Sequence, residues 1–451
     1  MKRKFKPSSR CSLVSASASS SSSAARALSD RNLLTTIYSF LGPNQRKMHE
    51  VSQIWSCIPR LSLHVDFGVT SSVPMTSRLC NTKSIKLLLP NMAYNEARTI
   101  HNITSLSSVL PSNLTSVTIE DMHPLTPTLL TALGTLQKLT EISFCARNLD
   151  DPIPCCQDIK VFVSRHRKKL QALSMCRFAL YNNLASVPLP NLEEITCCYE
   201  PDFTLSLLQN SKSLQKLSMD ILPLHMNLTT GASFQSLIYG RDAALKYLLL
   251  EMKFGYILSL TEEYNMTQTL VTALTPPMGK SGHTVLNRIH IDMSTYHMHP
   301  KFGKALCEFQ VDGGLKELSL NIYFSDAYII GRLLQVHGET LTTLEVPNAV
   351  VELYDISKLH KMEVLSMTTK RPLHVFTALK TCKNLKSLRI KVHPSKYNRM
   401  FDKSDRFIEK YREFAREHPK CTITFSRPAF DPTFDPMFDP DSQALCSILS
   451  W

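Results

Sequence analysis

The chain has 451 residues, of which 43% are apolar, and a formal net charge of +13 at neutral pH. That is length for roughly two or three ordinary domains or one long repeat array, and no run of about 18 apolar residues is present to span a bilayer, so no membrane partner is expected. Lys2, Arg3, Lys4, Lys6, Arg10 and Arg26 supply six of the positive charges before the first acid, Asp30, and the +7 left for the rest is a mild bias that does not require nucleic acid as a partner.

Thirteen cysteines, an odd number with no C-x-x-C pair, fit reduced thiols in the cytoplasm and/or nucleus better than a disulfide framework. With only thirteen glycines, phosphate-cradling loops are not expected. No nucleophile–base pairing, spaced acid pair or dinucleotide fingerprint stands out. The expectation is a binding protein, with no catalytic residues, no metal and no cofactor.

Residues 1–27 are rich in Lys and Arg and then nearly pure Ser and Ala from Ser15 to Ala27. Such a stretch buries too little apolar surface to offset ordering entropy, so a disordered tail is expected. Lys2-Arg3-Lys4 also fits a short nuclear signal, and the acid-free Ser/Arg composition fits an organelle transit peptide. Both stay open beside the plain tail.

Residues 28–60 carry two helical stripes. Leu33, Leu34, Ile37, Phe40 and Leu41 recur at i, i+3 and i+4 after Ser29 or Asp30 as N-cap, and Gly42-Pro43 stops the helix. Met48, Val51, Ile54 and Trp55 form the second stripe, closed by Pro59. Ile37-Tyr38-Ser39-Phe40-Leu41, Pro43 and Val51-Ser52-x-x-Trp55 resemble the F-box, the helical module that docks on a Skp-type adaptor of cullin-based ubiquitin ligases. The resemblance implies that Leu34, Ile37, Phe40, Leu41, Pro43, Val51, Ile54 and Trp55 hold the adaptor, and through it a cullin scaffold. Ser29 stands where that family usually has proline, and Gln45-Arg46-Lys47 replaces apolar residues usual in the middle. The same helices would equally cap the open end of a repeat array.

Residues 61–426 are built on one recurring pattern. Leu61-x-Leu63-x-Val65-x-Phe67 alternates as a strand. The pattern apolar-x-x-apolar-x-apolar then begins at Leu114, Leu139, Leu170, Leu192, Leu214, Leu245, Leu286, Leu315, Leu341, Met362 and Leu385, with a weaker copy near Ile85. Intervals are mostly 21 to 31 residues, with one of 41 between Leu245 and Leu286. In each copy the second and third apolar residues are two apart and face one side of a short strand. A strand so short, with one apolar face, must stack on copies of itself. The succession resembles the leucine-rich repeat and implies an α/β solenoid, a curved parallel sheet with outer helices. Leu129, Leu130 and Leu133; Ile329, Ile330, Leu333 and Leu334 after Ser325; and Val375, Phe376 and Leu379 give stripes for such helices. A last helix is expected from Ser404 to Pro419, on Phe407, Ile408, Tyr411, Phe414 and Ala415, followed by the closing strand Thr422-Ile423-Thr424-Phe425.

Residues two, four and six after the first apolar position should point away from the core onto the concave sheet. The fourth position reads Thr118, Ser143, Ser174, Thr196 and Ser218, a row of hydroxyls on strands about 4.8 Å apart. The second position carries Lys216, Tyr247, Arg288 and Glu317. These residues are the expected surface for an unknown protein substrate. Cys145, Cys176 and Cys198 share the sixth position, in a row that does not converge on a zinc ion. His290, Asp292, His297 and His299 are read as loop groups and not as ligands. Thr275 to His283 reads as an exposed loop, and its Gly279-Lys280-Ser281 is no phosphate loop, because Leu274 stands where the first glycine is needed.

Residues 427–451 carry Phe430-Asp431-Pro432, Phe434-Asp435-Pro436 and Phe438-Asp439-Pro440, and are expected to be a disordered tail. The triplets fit either a multivalent peptide ligand or a low-complexity expansion. Together the two resemblances imply a substrate-recognition subunit of a cullin-type (SCF) ubiquitin ligase. The alternative is a leucine-rich-repeat interaction scaffold with a helical cap and no ubiquitin role.

Overall fold

Strands in register with their sequence neighbours dominate the computed structural model, which describes residues 62–66, 83–88, 112–120, 126–145, 156–176, 186–198, 213–221, 226–240, 243–252, 258–279, 282–324, 328–351, 359–392 and 404–426, with positions 103, 110, 184, 211 and 356. The segment 28–60 and the tails 1–27 and 427–451 lie outside the described residues. The chain divides into two units between Leu139 and Thr140.

In the first unit β1 (Ser62–Asp66), β2 (Ser84–Leu88) and β3 (Ser116–Glu120) pair in parallel in sequence order. Ile85, Leu87, Val117 and Ile119 are fully buried, and α1 (Thr126–Leu133) buries the expected Leu129, Leu130 and Leu133. Lys86 Nζ lies 2.6 Å from Glu120 Oε1 on the other face of the strands.

The second unit is α/β with one long parallel sheet. Its strands are β4 (Glu141–Cys145), β5 (Ala172–Cys176), β6 (Glu194–Cys198), β7 (Lys216–Asp220), β8 (Tyr247–Glu251) and β10 (Arg288–Met298). They continue as β12 (Glu317–Phe324), β13 (Thr343–Val350), β14 (Val364–Thr369), β15 (Ser387–Val392) and β16 (Thr422–Ser426). Each pairs in parallel with the next. Two short strands, β9 (His283–Thr284) and β11 (Gln310–Val311), pair separately.

The rungs of the long sheet from β5 to β15 begin alike. The carbonyl one residue past the first apolar position accepts two successive amides of the next rung: Gln171 O from Glu193 and Glu194, Glu193 O from Gln215 and Lys216, Gln215 O from Lys246 and Tyr247, Lys246 O from Asn287 and Arg288. The bonds repeat at Asn287, Lys316, Thr342 and Glu363. This shared entry fixes the register, so the apolar pairs stack: Leu173 with Ile195, Leu217 and Leu248, and Met175 with Cys197, Met219 and Leu250. A one-residue slip would turn these side chains to the opposite face.

Helices occupy the returns: α2 (Cys156–His166), α3 (Leu228–Tyr239), α4 (Leu260–Leu274), α5 (Pro300–Glu308), α6 (Tyr328–His337), α7 (Pro372–Ala378) and α8 (Ser404–Glu417). The stripe Ile329, Ile330, Leu333 and Leu334 is the buried face of α6. Ser325 lies outside the described residues. On α8, Phe407 and Phe414 are buried against Phe376 of α7. The long interval between Leu245 and Leu286 is filled largely by α4, which opens on a reciprocal capping box between Ser259 and Glu262. Gly231 lets α3 approach α4, since a Cβ there would sit 2.9 Å from the Thr269 carbonyl oxygen. Among the described residues no helix is long and apolar enough to cross a membrane.

β10 is longer than the sequence pattern suggests. Past Asp292 its register with β12 shifts and resumes at His297–Tyr323. The extension holds Tyr296 fully buried, its hydroxyl 2.8 Å from Thr267 Oγ1 of α4.

Candidate partner-binding face

Because alternate strand residues point to opposite faces, burying the two apolar columns of the rungs presents three columns on the other side. Backbone register places Ser143, Ser174, Thr196 and Ser218 side by side across β4 to β7. Thr118 is in β3 of the first unit. The hydroxyl row ends at half-buried Leu249, beside Ser218, followed by His290 and Ser319. A single apolar step in a polar row offers an anchoring point for a partner's apolar side chain.

The second-position column, Lys216, Tyr247, Arg288 and Glu317, is continuous in register from β7 to β12 and is preceded by Glu194. Lys216 Nζ is 3.2 Å from Glu194 Oε2 and 5.7 Å from the centre of the Tyr247 ring. Arg288 Nε is 3.3 Å from Glu317 Oε1. Burial pushes the Tyr247 phenol above its ordinary value, with the neighbouring Lys216 and Arg288 opposing and Glu317 assisting. Exposed pairs like these contribute roughly 0–1 kcal/mol to stability. Their effect is to present alternating charges around a phenol ring, a pattern that selects a complementary surface.

The sixth position was only partly legible from the chain. Cys145 and Cys176 do lie side by side in register, and Ser143 Oγ is 3.6 Å from Cys145 Sγ. Beyond Cys198 the column becomes Asp220, Glu251, Asp292 and Asn321, which are neighbours on β7, β8, β10 and β12. Asn321 Nδ2 donates to Asp292 Oδ1 at 2.7 Å, Asn348 Nδ2 donates to Asn321 Oδ1 at 2.9 Å, and Lys391 Nζ donates to Asn348 Oδ1 at 3.3 Å. Two side-chain amides and a lysine thus carry a polar ladder from β10 to β15. Counting six residues on from Leu214, Leu245, Leu286 and Leu315 finds its acids and Asn321. Lys391 is likewise six residues on from Leu385, whereas Asn348 falls one residue past the count from Leu341, where β13 shifts register after Val346.

The histidine cluster separates into different tasks. His290 stands on the open face, and the His297 ring stacks on Tyr323 with centroids 5.1 Å apart. His299 Nδ1 accepts from the Lys301 amide at the start of α5. Among the described residues no three His, Cys, Asp or Glu side chains form a group able to hold a metal ion. In the loop after α4, Met278 is fully exposed and Gly279 adopts φ +79°. The eight residues expected to hold an adaptor, Leu34, Ile37, Phe40, Leu41, Pro43, Val51, Ile54 and Trp55, lie outside the described residues.

No protein-family model matches the chain, and a search of curated proteins also finds no match.

Proposed function

We propose that the chain is the substrate-recognition subunit of a cullin-type ubiquitin ligase, an F-box-like segment at 28–60 joined to a leucine-rich-repeat array over 61–426. The observation that carries this reading is the order along the chain. Residues resembling an adaptor-docking module, Ile37 to Leu41 and Val51 to Trp55, precede a long array of stacked strands with a patterned polar face. Burying a large apolar side chain gains about 1.5–3 kcal/mol, so a few anchors among Leu34, Ile37, Phe40, Leu41, Ile54 and Trp55 suffice for an interface after ordering costs. The face of β4 to β12 would then hold a protein substrate by hydrogen bonds, ion pairs and the Leu249 step, presenting it to the ligase without bond chemistry of its own.

Co-expression with a Skp-type adaptor tests the assignment. The wild-type chain should co-purify with it, and Leu41→Ala combined with Trp55→Ala should abolish the complex while circular dichroism stays unchanged. Retained binding by the folded double variant would refute the interface. The second reading, a scaffold whose N-terminal helices only cap the first rung, rests on the need of any repeat array for a covered end. It predicts a folded wild-type chain that ignores the adaptor.

A further inference from the structure

The open face of β7 to β12 has a low floor between two raised rows. At the fourth position Ser218, Leu249 and Ser319 are shorter than the second-position residues of their strands, and Ser319 is only 8% exposed although it faces outward. The second and sixth positions lie four residues apart, about 13 Å along a strand, against about 10–12 Å for the diameter of an α-helix with its side chains. Half-buried Leu249 is the apolar point of that floor.

Charge decides what the floor accepts. Across β6 to β12 the second and sixth positions carry five carboxylates, Glu194, Asp220, Glu251, Asp292 and Glu317, against the two cations Lys216 and Arg288. That is a local excess of three negative charges on a chain whose total is +13. Both cations lie against second-position acids, Lys216 on Glu194 and Arg288 on Glu317, which leaves the excess at the sixth position. A polyanion such as nucleic acid is repelled there and a cationic segment attracted. Tyr323 adds to the same side. It lies two residues past Asn321 on the same strand face, is 47% exposed, and has His297 stacked on its ring. A half-exposed phenol ring next to carboxylates is a seat for an ammonium or guanidinium group.

Spacing selects the shape of the partner. Asp220, Glu251 and Asp292 are in register on successive strands of the sheet, so the second and third stand about 4.8 and 9.6 Å from the first. Helix residues i, i+3 and i+7 share one flank and rise by about 4.5 and 10.5 Å. An extended segment places same-face residues at about 6.8 and 13.6 Å and misses the third carboxylate by about 4 Å.

We infer that this face takes one amphipathic helix of a protein partner, lying across the strands, with Lys or Arg at i, i+3 and i+7 on Asp220, Glu251 and Asp292 and an apolar side chain on Leu249. Such a helix is the class of substrate for the partner-binding face proposed above, and its assignment rests on that part of the reading and not on adaptor docking.

The probe is a fluorescent, Ala-based helical peptide of about 18 residues with Lys at i, i+3 and i+7 and Leu at i+4 and i+8, its binding to the full chain read by anisotropy. It should bind, and bind less well at about 0.5 M salt, where surface charges are screened. Two control peptides, one with Glu for Lys and one of equal composition with the Lys spread around the helix, should bind about tenfold more weakly or worse. The chain carrying Asp220→Asn, Glu251→Gln and Asp292→Asn should lose the Lys peptide to the same extent, with circular dichroism unchanged, whereas Glu363→Gln should keep it. Independently of any variant, a benzophenone in place of one Leu should crosslink to residues 216–220, 247–251 or 288–292 of the wild-type chain. Equal binding of the aligned and spread Lys peptides, an unaffected triple variant, crosslinks confined to other segments, or an oligonucleotide that competes for the site would each overturn the inference. Adaptor capture is scored separately: capture without peptide binding sinks this inference alone, and peptide binding without capture sinks the ligase reading alone.

Discussion

Replacing Leu318 by alanine removes three carbons from the middle of the sheet. Leu318 of β12 is in register with Ile289 of β10 and Leu344 of β13, and all three are essentially inaccessible to solvent. Backbone ladders hold the flanking strands at about 4.8 Å, so the hole cannot close by sliding the rungs together. The loss should therefore lie toward the upper part of the range for large-to-small core changes, about 3–5 kcal/mol. One residue away, Glu317 faces outward and pairs with Arg288 at 3.3 Å, partly exposed, so Glu317→Ala should cost less than about 1 kcal/mol. Urea unfolding followed by circular dichroism separates the two: Leu318→Ala should lower the midpoint by about 1–2 M, Glu317→Ala by a few tenths. Comparable losses for both variants would refute the assignment of faces on which the stacked-rung description rests.

Three further outcomes follow from particular contacts. His337 is buried at the end of α6 with Nε2 3.2 Å from the Leu306 carbonyl, and burial lowers its pKa below the ordinary 6.5. The unfolded chain therefore takes up the proton first, so stability should fall as pH drops below about 6.5, and His337→Asn should flatten that slope in denaturant titrations at successive pH values. Gly231→Ala should destabilise, by about 1–3 kcal/mol of overpacking against a gain of about 1 kcal/mol in helix propensity, because the new Cβ meets the backbone of Thr269; a raised urea midpoint would contradict the α3–α4 contact. Asn321→Asp should set a second carboxylate against Asp292 in place of the 2.7 Å amide bond, lowering stability at pH 7 by about 1–3 kcal/mol and recovering part of it at pH 4.

The strands were readable because burial repeats every two residues within a strand and at related intervals between rungs. Leu173, Ile195, Leu217 and Leu248 align by spacing alone. α4 was not readable, since Thr261, Thr267, Thr269 and Thr272 interrupt its apolar stripe. Those hydroxyls are accommodated by tertiary and backbone bonds, Thr267 to Tyr296 and to the Glu263 carbonyl, and Thr269 to the Asn227 carbonyl. The extension of β10 has no signature in the spacing for a related reason: past Asp292 the strand resumes where His297 and Met298 pair with Tyr323 and Phe324. On the candidate face, the hydroxyl row and the charged column were visible position by position. The amide ladder was hidden, because its link at Asn348 lies one residue past the sixth position, beyond a register shift in β13 that spacing alone does not reveal.

The most direct test of the proposed function is hydrogen exchange of the full chain with and without a Skp-type adaptor. The account predicts new protection confined to residues 28–60, with the repeats from β4 to β16 unchanged. Protection appearing on the β4 to β12 face instead, or nowhere along the chain, would contradict it.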